Sequence, residues 1–254
     1  MIILKSENEI KAMRHAGTIL ARVLKAVTEA VRPGITTLEL DEIAAEVIRK
    51  AGCKPSFLGY DGFPATLCIS VNEEVVHGFP STRKLQEGDI VSIDGGVIYE
   101  GMHSDSAITL PVGEISAEKA RLLQVTKESL YLGIAQAQEG NRLSDISHAV
   151  QVHAEAAGYS VVRDLVGHGV GCNLHEDPEI PNYGSPHRGP RLKSGMTLAI
   201  EPMINMGRYE VEVEENQWTI VTQDRQPSAH FEHSILITPA GPLILSVDDE
   251  EPVE

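Results

Sequence analysis

Two strand-like runs in this sequence each end on an acid. In KLQEGDIVSIDGG, residues 84–96, a β-branched run closes on Asp94; in RLKSGMTLAIEPM, residues 191–203, a similar run closes on Glu201. Leu85, Gly88, Ile93 and Asp94 return as Leu192, Gly195, Ile200 and Glu201, each 107 positions later. Two other pairs recur in the same order. His77-Gly78-Phe79-Pro80 matches His175-Glu176-Asp177-Pro178, and His103-Ser104-Asp105 matches His230-Phe231-Glu232. A single strand-end acid is usually a turn residue or a cap, and a single histidine is usually structural. The joint recurrence argues for chemistry instead.

Asp94 and Asp105 flank a turn at Tyr99-Glu100-Gly101, which places them roughly opposite on paired strands. Like charges facing across strands are unfavourable, and half-buried carboxylates of this kind take up a proton or a cation. A two-fold relation between the repeats would bring Glu201 and Glu232 to the same place. Two dications would balance four carboxylates. GHGVGCNLHEDP, residues 167–178, offers a fifth group: His168 between two glycines, read as a sharply bent loop and not as an H-E-x-x-H helix. Carboxylates and one imidazole suit Mn, Fe, Co or Zn and do not suit a thiolate metal. Cys53, Cys68 and Cys172 are then bystanders to the metal. They are odd in number and lack a CxxC pair, as expected in a reducing compartment. His148 and His153 read as structural helix residues, His15 and His187 have no assigned role, and His103 and His230 read as supports for their neighbours.

The elements that would position these groups also recur. Ser6-Glu7-Asn8-Glu9 forms a capping box before an apolar helical face running from Ile10 to Val31, ended by Pro33-Gly34. A second helix starts near Thr36 and stops at Gly52. A third is expected from about Ser116 to Gln138, and a fourth from Gly140 to Gly158. Gly34 to Gly52 and Gly140 to Gly158 both span 18 positions, and strand-like runs follow each helix pair. The reading is one duplicated α/β domain over residues 1–254, with halves of about 1–110 and 111–246. Its helices cover one side of a shared antiparallel sheet.

The bulk composition sets limits. The 254 residues carry 21 Lys+Arg against 37 Asp+Glu, a net charge of −16, which argues against a phosphate-backbone binder. The acidic tail 247–254 reads as solvated. MIILKSENEI is too short an apolar stretch for a signal peptide and no run is long enough to span a membrane, so a cytoplasmic enzyme is expected; a monomer is expected as well.

The set SVNEEVVHGFP, IDGGVIYEGMHSDSA, GHGVGCNLHEDP, AIEPM and SAHFEHSILIT resembles the type I methionine aminopeptidases from the first helix to about Ser246. The resemblance implies the pita-bread fold, an internally duplicated α/β domain with a dinuclear metal site. It implies that Asp94 holds one ion, that Asp105 and Glu232 bridge both, and that His168 and Glu201 hold the other. His175 would stabilise the scissile carbonyl as it becomes an oxyanion, His77 would stand by the scissile amide, and Glu201 would also handle a proton of the attacking water. Tyr60, Phe63, Cys68 and Trp218 would form the methionine pocket. Phe57 and Asp61 depart from the family's Cys and His, and His230 stands where Gln is common. The implied substrate is the N-terminal Met of peptides and nascent proteins with a small second residue, and the ribosome is a transient partner. The short N-terminus and the short stretch from His175 to Glu232 fit the minimal bacterial form. A proline-specific aminopeptidase or dipeptidase of the same fold and a non-catalytic binding module of that fold are the rival readings, and a mononuclear iron oxygenase is a weaker one.

Overall fold

The structure is a computed structural model and describes residues 1–248; most of the acidic tail lies outside the described residues. The first two helices are α1 (Glu7–Ala30) and α2 (Thr37–Lys50). Both begin on the expected capping boxes. The backbone N–H of Ser6 donates to Glu9 at 2.7 Å, and that of Thr36 donates to Glu39 at 2.8 Å. The third helix, α3, spans Ala117–Gln136. The fourth, α4 (Leu143–Ala156), starts later than expected. Gly140 sits in the preceding turn at φ +92°, and the Asp145 carboxylate takes the Arg142 backbone N–H at 2.8 Å.

A nine-stranded sheet, antiparallel at every ladder, runs through both halves. The first half contributes the long hairpin Ile90–Tyr99 and Met102–Pro111 with Leu67–Val71 at its side. The hairpin's second strand pairs with Glu232–Thr238, which pairs in turn with Thr197–Ile200 and then Val166–Gly169. The join between the halves therefore lies between Met102–Pro111 and Glu232–Thr238. Helices cover one face. Leu20, Val27, Leu40 and Ile48 of the first helix pair pack with Val91 and Ile93 in one buried cluster. Leu130, Ile134 and Ile146 of the second pair pack with Leu198, Ile200, Ile235 and Ile237 in another.

Matched hydrogen bonds mark the two halves as copies. Gly34 N–H donates to the Leu85 carbonyl at 2.7 Å, and Gly140 N–H to that of Leu192 at 2.9 Å. Thr37 to Arg83 at 3.1 Å answers Leu143 to Pro190 at 3.0 Å. Gly88 and Gly195 turn at φ +87° and +89°, a region that glycine enters without a Cβ penalty. One sequence match is corrected by the ladder. Ile93 pairs with Ile108 and Ile200 pairs with His233, so the counterpart of Ala107 is Glu232 and that of Asp105 is His230. The H-x-D and H-x-E pattern is thus offset by two residues. A shift of two leaves a side chain on the same face, so both acids still reach the site.

Candidate active site and metal centre

Strand register puts the acids together. Residues paired across a ladder share a face, and so do residues two apart on one strand. Asp94 and Glu232 both pair with Ala107, forming one row across three strands. Asp105 lies two places from Ala107, which makes it a diagonal neighbour of Asp94, not its direct partner. His168 pairs with Ala199, two places before Glu201. All five groups therefore project from the face opposite α1 to α4.

His168 lies on the strand Val166–Gly169 and not in a bent loop. Its flanking glycines serve close packing. A Cβ at Gly167 would stand 2.5 Å from the Ala199 carbonyl oxygen, and one at Gly169 would collide with that of Asp177. His77, by contrast, occupies the left-handed region at φ +61°, a strained conformation of the kind found at functional sites.

The five groups sit at the base of a cavity of about 400 Å³. One oxygen each of Asp105 and Glu232 and one ring nitrogen of His168 lie within 4.8 Å of one another. Glu201 Oε1 is 3.4 Å and Asp105 Oδ2 3.8 Å from His168 Nε2. The Asp94 carboxyl is within hydrogen-bond reach of Asp105, and that of Glu201 stands beside His168. Asp94 Oδ1, Asp105 Oδ1 and Glu232 Oε1 are buried with no hydrogen-bond partner among the described residues. Among the described residues no Lys or Arg lines the cavity.

Burial, then the charge of Asp105, pushes the Asp94 carboxyl well above its usual range. Burial pushes Asp105 up to about 7. Glu201 and Glu232 are raised well above their usual range by burial and then by the neighbouring carboxylates. Burial, with His175 next, lowers His168 to about 4, so its imidazole is neutral and able to act as a ligand. Four uncompensated carboxylates, orphaned oxygens and a neutral imidazole fit a divalent cation centre.

Above this base stand the other predicted residues. Tyr60 Oη lies 2.7 Å from His175 Nδ1, and the rings of His168 and His175 are 4.3 Å apart. Phe63 packs edge-on against both Phe79 and Trp218 at 5.3 Å. Phe57, Asp61, Cys68, His77 and Trp218 all line the cavity. Cys68 pairs with Asp94 in the ladder, and burial holds its thiol protonated, so it forms wall and not ligand. His103 donates to or accepts from Ser56 Oγ at 3.0 Å, away from the cavity. His230 is buried behind Glu201, its Nε2 3.8 Å from Glu201 Oε2. His148, His153 and His187 pair with Gly184, Glu128 and Asp145, and His15 stacks on Tyr99. Val76, Asp164, Leu165, Leu174 and Met203 also line the cavity and were not foreseen. Val76, Leu174 and Met203 lie within the recognised motifs, and that membership was the available signal.

The sequence matches metallopeptidase family M24 over residues 11–239. The chain belongs to metallopeptidase family M24. Membership implies use of a divalent metal, in agreement with the donor set. Within M24 the chain is 57% identical to a methionine aminopeptidase of Clostridium perfringens, over 97% of this chain and 99% of that one. A crystal structure of methionine aminopeptidase from Thermotoga maritima superposes with a TM-score of 0.96 at 47% identity, covering 97% of this chain and 100% of that one. A prolidase from Pyrococcus furiosus, 23% identical with a TM-score of 0.77, shares the pita-bread fold, and this M24 chain covers 65% of its length.

Proposed function

We propose that the protein is a metal-dependent methionine aminopeptidase that hydrolyses the first peptide bond after an N-terminal Met. The observation that carries this reading is the convergence of four acids and His168, from both halves, under an aromatic-walled cavity. Asp94, Asp105, His168, Glu201 and Glu232 would hold the metal. Four carboxylates at the base of one cavity, whose charge two dications would balance, support a pair of ions, drawn from Mn, Fe, Co or Zn. When bound, such ions supply Lewis acidity and bring water within reach of ionisation near neutral pH.

The chain's own residues supply the rest. Phe63, Cys68 and Trp218 form an apolar slot suited to a methionine side chain. Burial lowers His175 below its ordinary value and leaves it neutral. With Tyr60 donating its hydroxyl proton to Nδ1, the His175 proton rests on Nε2, where it can hydrogen-bond the scissile carbonyl oxygen as charge builds there. His77, lowered to about 4 by burial and then by His175, is a neutral partner for the scissile amide. Glu201, with its raised proton affinity, is suited to take a proton from the attacking water and pass it to the leaving amine.

The substrates would be new proteins and peptides with a small second residue, met in the cytoplasm by a monomer with transient ribosome contact. Among the described residues no helix is long and apolar enough to cross a membrane. The test offers Met-Ala-Ser and Ala-Pro-Ser to metal-loaded protein. Release of Met alone supports the reading, cleavage before Pro supports a proline-specific peptidase, and no cleavage with any of the four metals contradicts it.

A further inference from the structure

Six carboxylates line the cavity, and only four of them belong to the buried base. Asp61 and Asp164 are exposed residues of the same cavity lining, Asp61 next to Tyr60 and close enough to His175 for its charge to act there. Two dications would balance the base and leave these two acids uncompensated, since no Lys or Arg lines the cavity among the described residues. Neither rim acid takes part in an ion pair among the described residues.

Asp61 is held in place. It lies in the single-turn helix Tyr60–Gly62 at φ +46°, a left-handed conformation that Asp and Asn tolerate better than most residues. The turn is closed by Phe63 N–H donating to Tyr60 O at 2.8 Å, and Tyr60 itself is tied to His175. The Asp61 charge is felt at His175, where it opposes the larger effect of burial. A chain with its Met in the Phe63–Trp218 slot and its first carbonyl at His175 leaves across the exposed part of this lining.

We infer that Asp61 and Asp164 make the mouth selective for peptides with a cationic residue just beyond the scissile bond and disfavour acidic ones. The inference rests on the aminopeptidase reading. Exposed charges act through a screened field, so the effect is modest, salt-dependent and expressed mainly in kcat/KM.

The test compares Met-Ala-Lys-Ser, Met-Ala-Ser-Ser and Met-Ala-Glu-Ser at low salt on the metal-loaded enzyme. The expected order is Lys over Ser over Glu, with about fivefold between the ends. At about 1 M salt, where the screening length is ~3 Å, the three rates converge. In the double variant Asp61→Asn, Asp164→Asn the Lys-to-Glu ratio falls to within about twofold of unity; Asn keeps the left-handed turn available. Equal rates at low salt, or a ratio unchanged in the double variant, overturn the inference while leaving the aminopeptidase reading intact. Failure to cleave any of the three overturns both. If the double variant does not fold, the salt series on the wild-type enzyme decides alone.

Discussion

The two halves of the molecule share a scaffold and differ in chemistry. Each half latches its helix pair to its strand turn with the same backbone bonds, as Gly34 to Leu85 and Gly140 to Leu192 illustrate. Yet the first half delivers two aspartates on one hairpin, while the second delivers two glutamates and an imidazole from three separate strands, Glu201 just past the end of its own. The register identifies where the imbalance arises. Ser70 pairs with Ser92 in the first half, as His168 pairs with Ala199 in the second, so Ser70 is the counterpart of His168. Its hydroxyl accepts the Gly78 N–H at 3.1 Å and serves the fold. Duplication thus fixed where groups can be placed, and later divergence decided which positions carry a donor.

The comparison is broken most severely by removing one acid from each half. Asp105→Asn and Glu232→Gln should each abolish turnover. Each should also weaken metal binding, read by calorimetric titration, by more than the 10–100-fold that outer partners of metal sites typically account for. Retained turnover in either variant would mean that one half suffices. His168→Ala and Ser70→Ala sharpen the contrast at matched positions. The first should lose metal affinity. The second should keep it and lose about 1–2 kcal/mol of stability in urea, because the buried Gly78 N–H loses its acceptor.

The scaffold itself predicts near-equal effects. Gly88→Ala and Gly195→Ala both place a Cβ at positive φ and should destabilise by about 1–2 kcal/mol each. Gly195 should be the worse of the two, since its Cβ would stand 3.3 Å from that of Leu4, while one at Gly88 would make only an ordinary 3.8 Å contact with the Glu114 carbonyl oxygen.

A smaller asymmetry concerns pH. His233 is the counterpart of Ile108 and bonds Ser246 Oγ at 2.8 Å. Burial, then Lys127, lowers it to about 4. The unfolded chain therefore binds the extra proton first, and the His233 contribution is lost as pH falls from about 6.5 toward 4. His233→Asn should remove up to about 3 kcal/mol of that pH dependence from thermal unfolding curves. No such effect is expected at Ile108.

Much of this was legible in the sequence because the relevant signals are local. Capping boxes, glycine stops and strand-end acids depend on spacing alone, and they located α1, α2, Asp94 and Glu201. Ladder register was not legible. Nothing local reveals that Glu232 answers Ala107, or that the glycines beside His168 permit close strands and not a bend. Of the rim acids Asp61 was placed at the pocket wall but Asp164 was missed, because it lies about a hundred residues away and only the folded chain brings both to one cavity.

The most direct measurement is anomalous diffraction at the absorption edge of a soaked divalent metal. The expected result is two peaks, one between Asp94, Asp105 and Glu232 and one between His168, Glu201 and the same bridging pair. Ions bound elsewhere on the surface, with that carboxylate cluster left empty at saturating metal, would contradict the account.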